Sequence, residues 1–226
     1  MEHETLLLPQ SKTKGLWCWM AFQYLLLPQM VSYALGVYFS DALVNFVYHL
    51  LSFLGVFLIL GESLLNAFRR AAAHPKRCVL VCVLSLMVYY AAAWAVTAAI
   101  RQLESAFSNR NDAAVLLLRR DGLVLTAIST IFLAPLSEEC LFRGLMFGQM
   151  LKKSRLGAYA LSAACFALIH VMGYLGTYTP LQLVLSLVQY LPAGLVLAWS
   201  FEKAGTIAGP ILIHMIINAI SMVQII

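Results

Sequence analysis

Residues 78–100 read CVLVCVLSLMVYYAAAWAVTAAI, 23 consecutive residues without a charged side chain. A helix needs about 20 predominantly apolar residues to cross a hydrocarbon core of about 30 Å. The chain repeats this pattern on both sides of that run, with apolar stretches at 16–39, 42–61, 122–150, 156–174, 180–201 and 205–226. Of its 226 residues 62% are apolar and 11% charged, and mean hydropathy is +0.85. A soluble chain is about 45–50% apolar and about 25% charged. This composition cannot cover a water-soluble domain with polar surface, and it excludes disorder, a collagen-like chain and a small disulfide scaffold. The runs are continuous rather than alternating, which excludes an outer-membrane barrel. The fold class is therefore all-α, a polytopic transmembrane bundle of about seven or eight helices. The upper count comes from 122–150, which as one straight helix would reach about 43 Å. Pro135 lies inside it and is expected to break or kink it.

Charge reads as orientation. The net charge is +5 and the pI about 9.0, yet the basic residues sit in short clusters between apolar runs. With seven crossings, Lys12 and Lys14, then Arg69, Arg70, Lys76 and Arg77, then Lys152, Lys153 and Arg155, then Lys203 all fall on one side. The positive-inside rule makes that side cytoplasmic, with the amino terminus inside and the chain multi-pass in the cell membrane. Nucleic acid is not a partner on this reading; the lipid bilayer is. The loop at 101–121 dissents, with Arg101, Arg110, Arg119 and Arg120 against Glu104, Asp112 and Asp121. Its apolar Val115 to Leu118 suits an amphipathic surface helix. The polar start, Met1 to Lys14, is followed by no small-residue cleavage site, so no cleavable signal peptide is expected. Cys18, Cys78, Cys82, Cys140 and Cys165 show no metal spacing and read as buried free thiols.

The chain divides by chemistry. Residues 1–121 hold N-terminal transmembrane helices and the amphipathic loop, while 122–226 carry nearly all the polar groups within spans. A charge inside a bilayer costs at least about 2.5–3.5 kcal/mol on insertion scales, so such groups are functional candidates. Glu139 and Arg143 are four apart and can pair along one helix face. Glu138, rotated by about 100°, lacks that partner. One carboxylate held by arginine and one free to titrate is the arrangement a general base requires. Phe166 precedes His170 by one turn, and His214 and Asn218 share a face at i and i+4. From the predicted cytoplasmic ends, Glu138, His170 and His214 lie at depths of about 18, 21 and 14 Å. Three spans thus bring polar groups to one level. Asn45 and His49 repeat the Asn/His spacing in the second span without a carboxylate partner there, and read as helix–helix hydrogen bonding.

These residues carry a resemblance. Glu-Glu-x-x-x-Arg (138–143), Phe-x-x-x-His (166–170) and His-x-x-x-Asn (214–218), in that order and each on an apolar helix, resemble the CAAX protease and bacteriocin-processing (Abi) family, with its type II CAAX prenyl endopeptidases. Gly194, Trp199, Gly205 and Pro210, leading to His214 and Asn218, resemble that family's last region. The resemblance spans 122–226 and implies an intramembrane endopeptidase, with Glu138, Glu139, Arg143, Phe166, His170, His214 and Asn218 as site residues. It implies a peptide or protein substrate at the membrane, either a prenylated CAAX tail or a bacteriocin-type leader. Glu138 would activate water held between it and His170, and His214 and Asn218 would donate to the oxyanion. The favoured reading needs no cofactor. The alternative is a zinc ion on Glu138, His170 and His214, against which stands the lack of any His-Glu-x-x-His. A non-catalytic immunity or partner-binding protein, or a small transporter, is the alternative outside enzymes; the polar asymmetry of the two halves argues against a transporter.

Overall fold

The computed structural model describes residues 10–224. The first nine residues of the polar start, and the last two of the final predicted span, lie outside the described residues. Among the described residues the chain is all helical, in nine helices without a strand. We label them α1 (Gln10–Leu25), α2 (Leu27–Leu35), α3 (Asp41–Ala73), α4 (Pro75–Leu103), α5 (Arg110–Asp121), α6 (Leu123–Leu151), α7 (Arg155–Met172), α8 (Pro180–Ala204) and α9 (Ala208–Gln224). Five of these, α3, α4, α6, α7 and α8, are long and apolar enough to cross a membrane. The apolar part of α9 is shorter, at Ala208–Val223.

The differences from the seven predicted spans have local causes. The single run at 16–39 forms two helices because Pro28 stands in the first turn of α2 and cannot continue the amide ladder. Bonds from Leu26 N to Phe22 O and from Met30 N to Leu26 O, each 3.0 Å, carry the helical path across the break. The run at 42–61 extends into a 33-residue helix capped at its start by Ser40 and followed closely by Pro75. At 1.5 Å per residue it is about 50 Å long and lifts Glu62, Arg69 and Arg70 past the apolar core. The 101–121 loop contains α5, capped by the Asn109 side chain. No residue of α5 is buried.

Pro135 does not break α6. The helix widens instead, with one π-helical stretch at Ile128–Leu133 just before the proline and another at Cys140–Phe147. The Ala134 N–H bonds the Ser129 carbonyl, five residues back. In that register Thr130 O would pair with residue 135, which has no N–H. The proline is absorbed by a change of hydrogen-bond period, at the cost of one carbonyl.

Packing then fixes two ends. Gly194 lets α8 lie against α7: a Cβ there would stand 2.8 Å from the Ala163 Cα. The end carrying the basic clusters is tied shut. Arg155 pairs with Glu202 at 2.9 Å, Tyr159 donates to the same carboxylate at 2.7 Å, and Arg77 donates to Lys203 O at 2.8 Å. Thr206 donates to Ala67 O at 2.9 Å, in the turn made by Gly205 at φ 72°. Beneath this lie fully packed Phe147, Ala158, Ala198 and Phe201. The opposite end is held by Asp121 accepting from Ala42 N at 2.7 Å and by Asn109 donating to Gln189 at 2.9 Å.

Candidate active site

A cavity of about 690 Å³ opens within the bundle, and its wall includes Glu138, Phe166, His170, His214 and Asn218. Glu139 and Arg143 stand behind the wall, each with no exposed surface. The structure therefore gathers all seven predicted residues around one centre.

The base of the centre is a charge network. Arg143 Nη1 donates to Glu139 Oε1 at 2.9 Å, the i, i+4 pair expected from the sequence. Arg143 Nη2 donates to the Gly194 carbonyl at 3.0 Å, and the guanidinium carbon lies 4.4 Å from the Phe166 ring centroid. The same Glu139 oxygen accepts from His214 Nδ1 at 2.7 Å. Glu139 thus joins α6 to α9 while Arg143 joins α6 to α8. A carboxylate that is fully buried, neutralised by arginine and bonded twice is held, not free.

His170 is set by its neighbours. Its Nδ1 donates to Phe166 O at 2.8 Å, which assigns the proton of the neutral ring to Nδ1 and leaves Nε2 as an acceptor. The imidazole lies between two aromatic rings, Phe166 at 4.5 Å and Tyr190 at 4.4 Å, the second stacked at 29°. The Tyr190 hydroxyl donates to Asn109 Oδ1 at 3.2 Å. Tyr190 thereby links this histidine to the cap of α5.

Although each of the two carboxylates has an unpartnered buried Oε2, Glu138 differs from its neighbour in making no hydrogen bond among the described residues. Its carboxylate lines the cavity, and Oε2 is buried without a hydrogen-bond partner among the described residues. Asn218 Nδ2 donates to Thr130 O at 2.8 Å, the carbonyl that Pro135 cannot serve. The carboxamide is therefore anchored across α6 by a helix defect, and its side chain also faces the cavity.

Sequence reading missed part of the wall. Asn45 does make the interhelical bond expected of it, to Ser129 Oγ at 3.2 Å. Yet Asn45 and His49 line the same cavity, with Tyr24 and Tyr48 beside them. The first half thus contributes polar wall, where apolar spans alone were expected. The repeated Asn/His spacing was the available signal; Tyr24, Tyr48 and Tyr190 belong to no spaced pattern. All five cysteines are free, but of these only Cys140 is buried.

Among the described residues, no three His, Cys, Asp or Glu side chains are grouped so as to hold a metal ion. Both histidine Nδ1 atoms are engaged, to Phe166 O and to Glu139.

The three motifs, now seen around one cavity, all fall within residues 120–220, the segment that matches the family model described as type II CAAX prenyl endopeptidase Rce1-like. This segment is Rce1-like. No curated protein and no solved structure matches the chain. The likeness to type II CAAX prenyl endopeptidases belongs to this segment, which is under half of the chain. With five apolar helices long enough to cross a bilayer, the chain that carries this segment is an integral membrane protein.

Proposed function

We propose that this chain hydrolyses a peptide bond of a membrane-associated substrate, with water activated by Glu138 and without a metal. The observation that carries this reading is the contrast between adjacent carboxylates: Glu139 is bonded through one oxygen to Arg143 and His214, whereas Glu138 makes no hydrogen bond among the described residues and lines a cavity shared with His170. A water there gives one proton to Glu138 and directs its other hydrogen at the His170 Nε2 acceptor, leaving a lone pair for the substrate carbonyl carbon. As the C–O bond forms, the carbonyl oxygen gains charge. The second Asn218 amide hydrogen and His214 Nε2 are the donors for it. With Nδ1–H committed to Glu139, His214 donates from Nε2 as the imidazolium, whose charge the adjacent Glu139 carboxylate offsets. Collapse of the tetrahedral intermediate breaks the C–N bond, and the proton held by Glu138 passes to the leaving amine.

On this reading residues 122–226 carry the chemistry, while α1 and α3 close the wall. The substrate is a prenylated CAAX tail or a leader-type peptide, and the amino terminus is cytoplasmic. The test uses purified full-length protein with two probes, a farnesylated CAAX peptide and an unprenylated leader peptide. Cleavage of either probe that is lost in Glu138→Gln and survives a strong chelator supports the proposal. Chelator loss restored by zinc overturns the metal-free step. Cleavage of neither probe by the wild type, or equal cleavage by Glu138→Gln, overturns the glutamate reading.

A further inference from the structure

The cavity has a direction. Its wall residues lie in the middle of their helices or toward the end away from the basic clusters, and they continue there onto Asn109 and Asn111 at the start of α5 and onto Gly173 and Tyr174 after α7. No wall residue comes from the turns at 74–77, 152–155 or 203–207. That end is sealed instead by the Phe147, Ala158, Ala198 and Phe201 packing, with Phe147 edge-on to Tyr159 at 5.1 Å and to Phe201 at 5.8 Å. The hydrogen bonds of Tyr159 and Thr206 lie over it. The cavity therefore opens toward the far end, beside α5.

Charge says which side that is. Ten of the 15 Lys and Arg residues stand at the sealed end, and four stand at the open end among Glu104, Asp112 and Asp121. Lys and Arg counts in short loops set membrane orientation, and the basic end stays in the cytoplasm. We infer that the open end faces away from the cytoplasm, so the substrate is a peptide segment presented at the non-cytoplasmic surface. The inference rests on the endopeptidase reading for what is bound, and on the wall and the charges for the side. It selects between the two substrate classes kept above: an exported or membrane-anchored leader has its scissile bond within reach, and a tail prenylated in the cytosol does not. The polar mouth suits that role, because Asn111 and Tyr174 offer amide and hydroxyl groups to a peptide backbone before it meets the apolar interior.

The side can be read without any cleavage. Full-length variants carrying Ala114→Cys at the mouth, Ser221→Cys within the cavity, Lys153→Cys at the basic end or Ala198→Cys in the sealed packing are expressed in cells. They are treated with a small membrane-impermeant sulfonated thiol reagent, and labelled cysteines are located by mass spectrometry. Expected is labelling of positions 114 and 221 in intact cells, of 153 only after the membrane is opened, and of 198 in neither case. Labelling of 153 in intact cells, or of 114 and 221 only in opened membranes, overturns the inference. So does labelling of 114 and 153 alike, which means mixed orientation. Repeating the set in the Glu138→Gln background separates the two readings, since the labelling pattern does not depend on proteolysis. If Ala198→Cys or Ser221→Cys is not recovered folded, positions 114 and 153 still decide the side.

Discussion

Helices α4 and α6 are both 29 residues long, and each is apolar enough to cross the same bilayer. In α4 only 11% of the most apolar window is buried, against 50% in α6. The first carries no charge between Arg77 and Arg101 and keeps an α-helical ladder throughout. The second carries Pro135, Glu138, Glu139 and Arg143, changes its hydrogen-bond period twice, and is enclosed by neighbours along its polar face. The difference shows where a membrane protein can place charge: in a helix that other helices surround, and only where each charge but one finds a partner. The exception, Glu138, is where the chemistry is expected.

The sharpest way to break this contrast is at that exception. Glu138→Gln should lower turnover by about 10²–10⁴, the usual contribution of a general base. Its melting temperature in detergent should hold, because Oε2 makes no bond to lose. A stable, fully active variant would erase the distinction between the two carboxylates. Arg143→Ala should destabilise the protein by about 3–5 kcal/mol by leaving Glu139 unpaired and buried, measured as loss of folded protein on heating or in denaturant. Arg143→Lys should recover part of this, since it keeps the charge but loses the fork that spans Glu139 and Gly194. Wild-type stability in the alanine variant would show the network to be dispensable.

Asn218→Ala separates structure from chemistry. A hydrogen bond within a membrane bundle is worth about 0.6 kcal/mol on average and about 1.7 at most, so the fall in stability should be small. Loss of an oxyanion donor should lower turnover by about 10²–10³ with little change in KM. If only stability changes, the carboxamide is an anchor alone. The smallest effect belongs to α4. Ser85 is buried there with no bond to its hydroxyl among the described residues, so Ser85→Ala should change stability by less than about 0.5 kcal/mol or raise it slightly. A clear loss would mean that α4 also holds polar structure and would weaken the comparison.

The contrast also explains what could be read in advance. Long apolar runs and their basic flanks are one-dimensional signals, so the all-helical membrane fold was legible, as were α4, α7 and α8 to within a few residues. The i, i+4 pairing of Glu139 with Arg143 was legible because a helix fixes it locally. What lay beyond reach was relief of local strain by geometry. Pro135 was expected to interrupt α6, and a π-helical stretch absorbed it instead. The split of 16–39 at Leu26 was marked by Pro28, but hydropathy outweighed that signal. Tyr190 stacking on His170 depends on the close approach of α7 and α8, which no spacing within either helix announces. Likewise, Asn45 gains its partner from Ser129 of α6, 84 positions away, and His49 its place in the cavity wall.

The carbonyl at Thr130 makes the order of change at two distant positions matter. Losing Asn218 first strands that carbonyl and removes a donor from the cavity, so the step is costly. Replacing Pro135 first supplies an N–H to the same oxygen, after which the carboxamide at 218 is no longer required to hold α6 and answers to the cavity alone. The two routes reach the same double replacement through intermediates of unequal fitness, a coupling that single substitutions at either position would conceal.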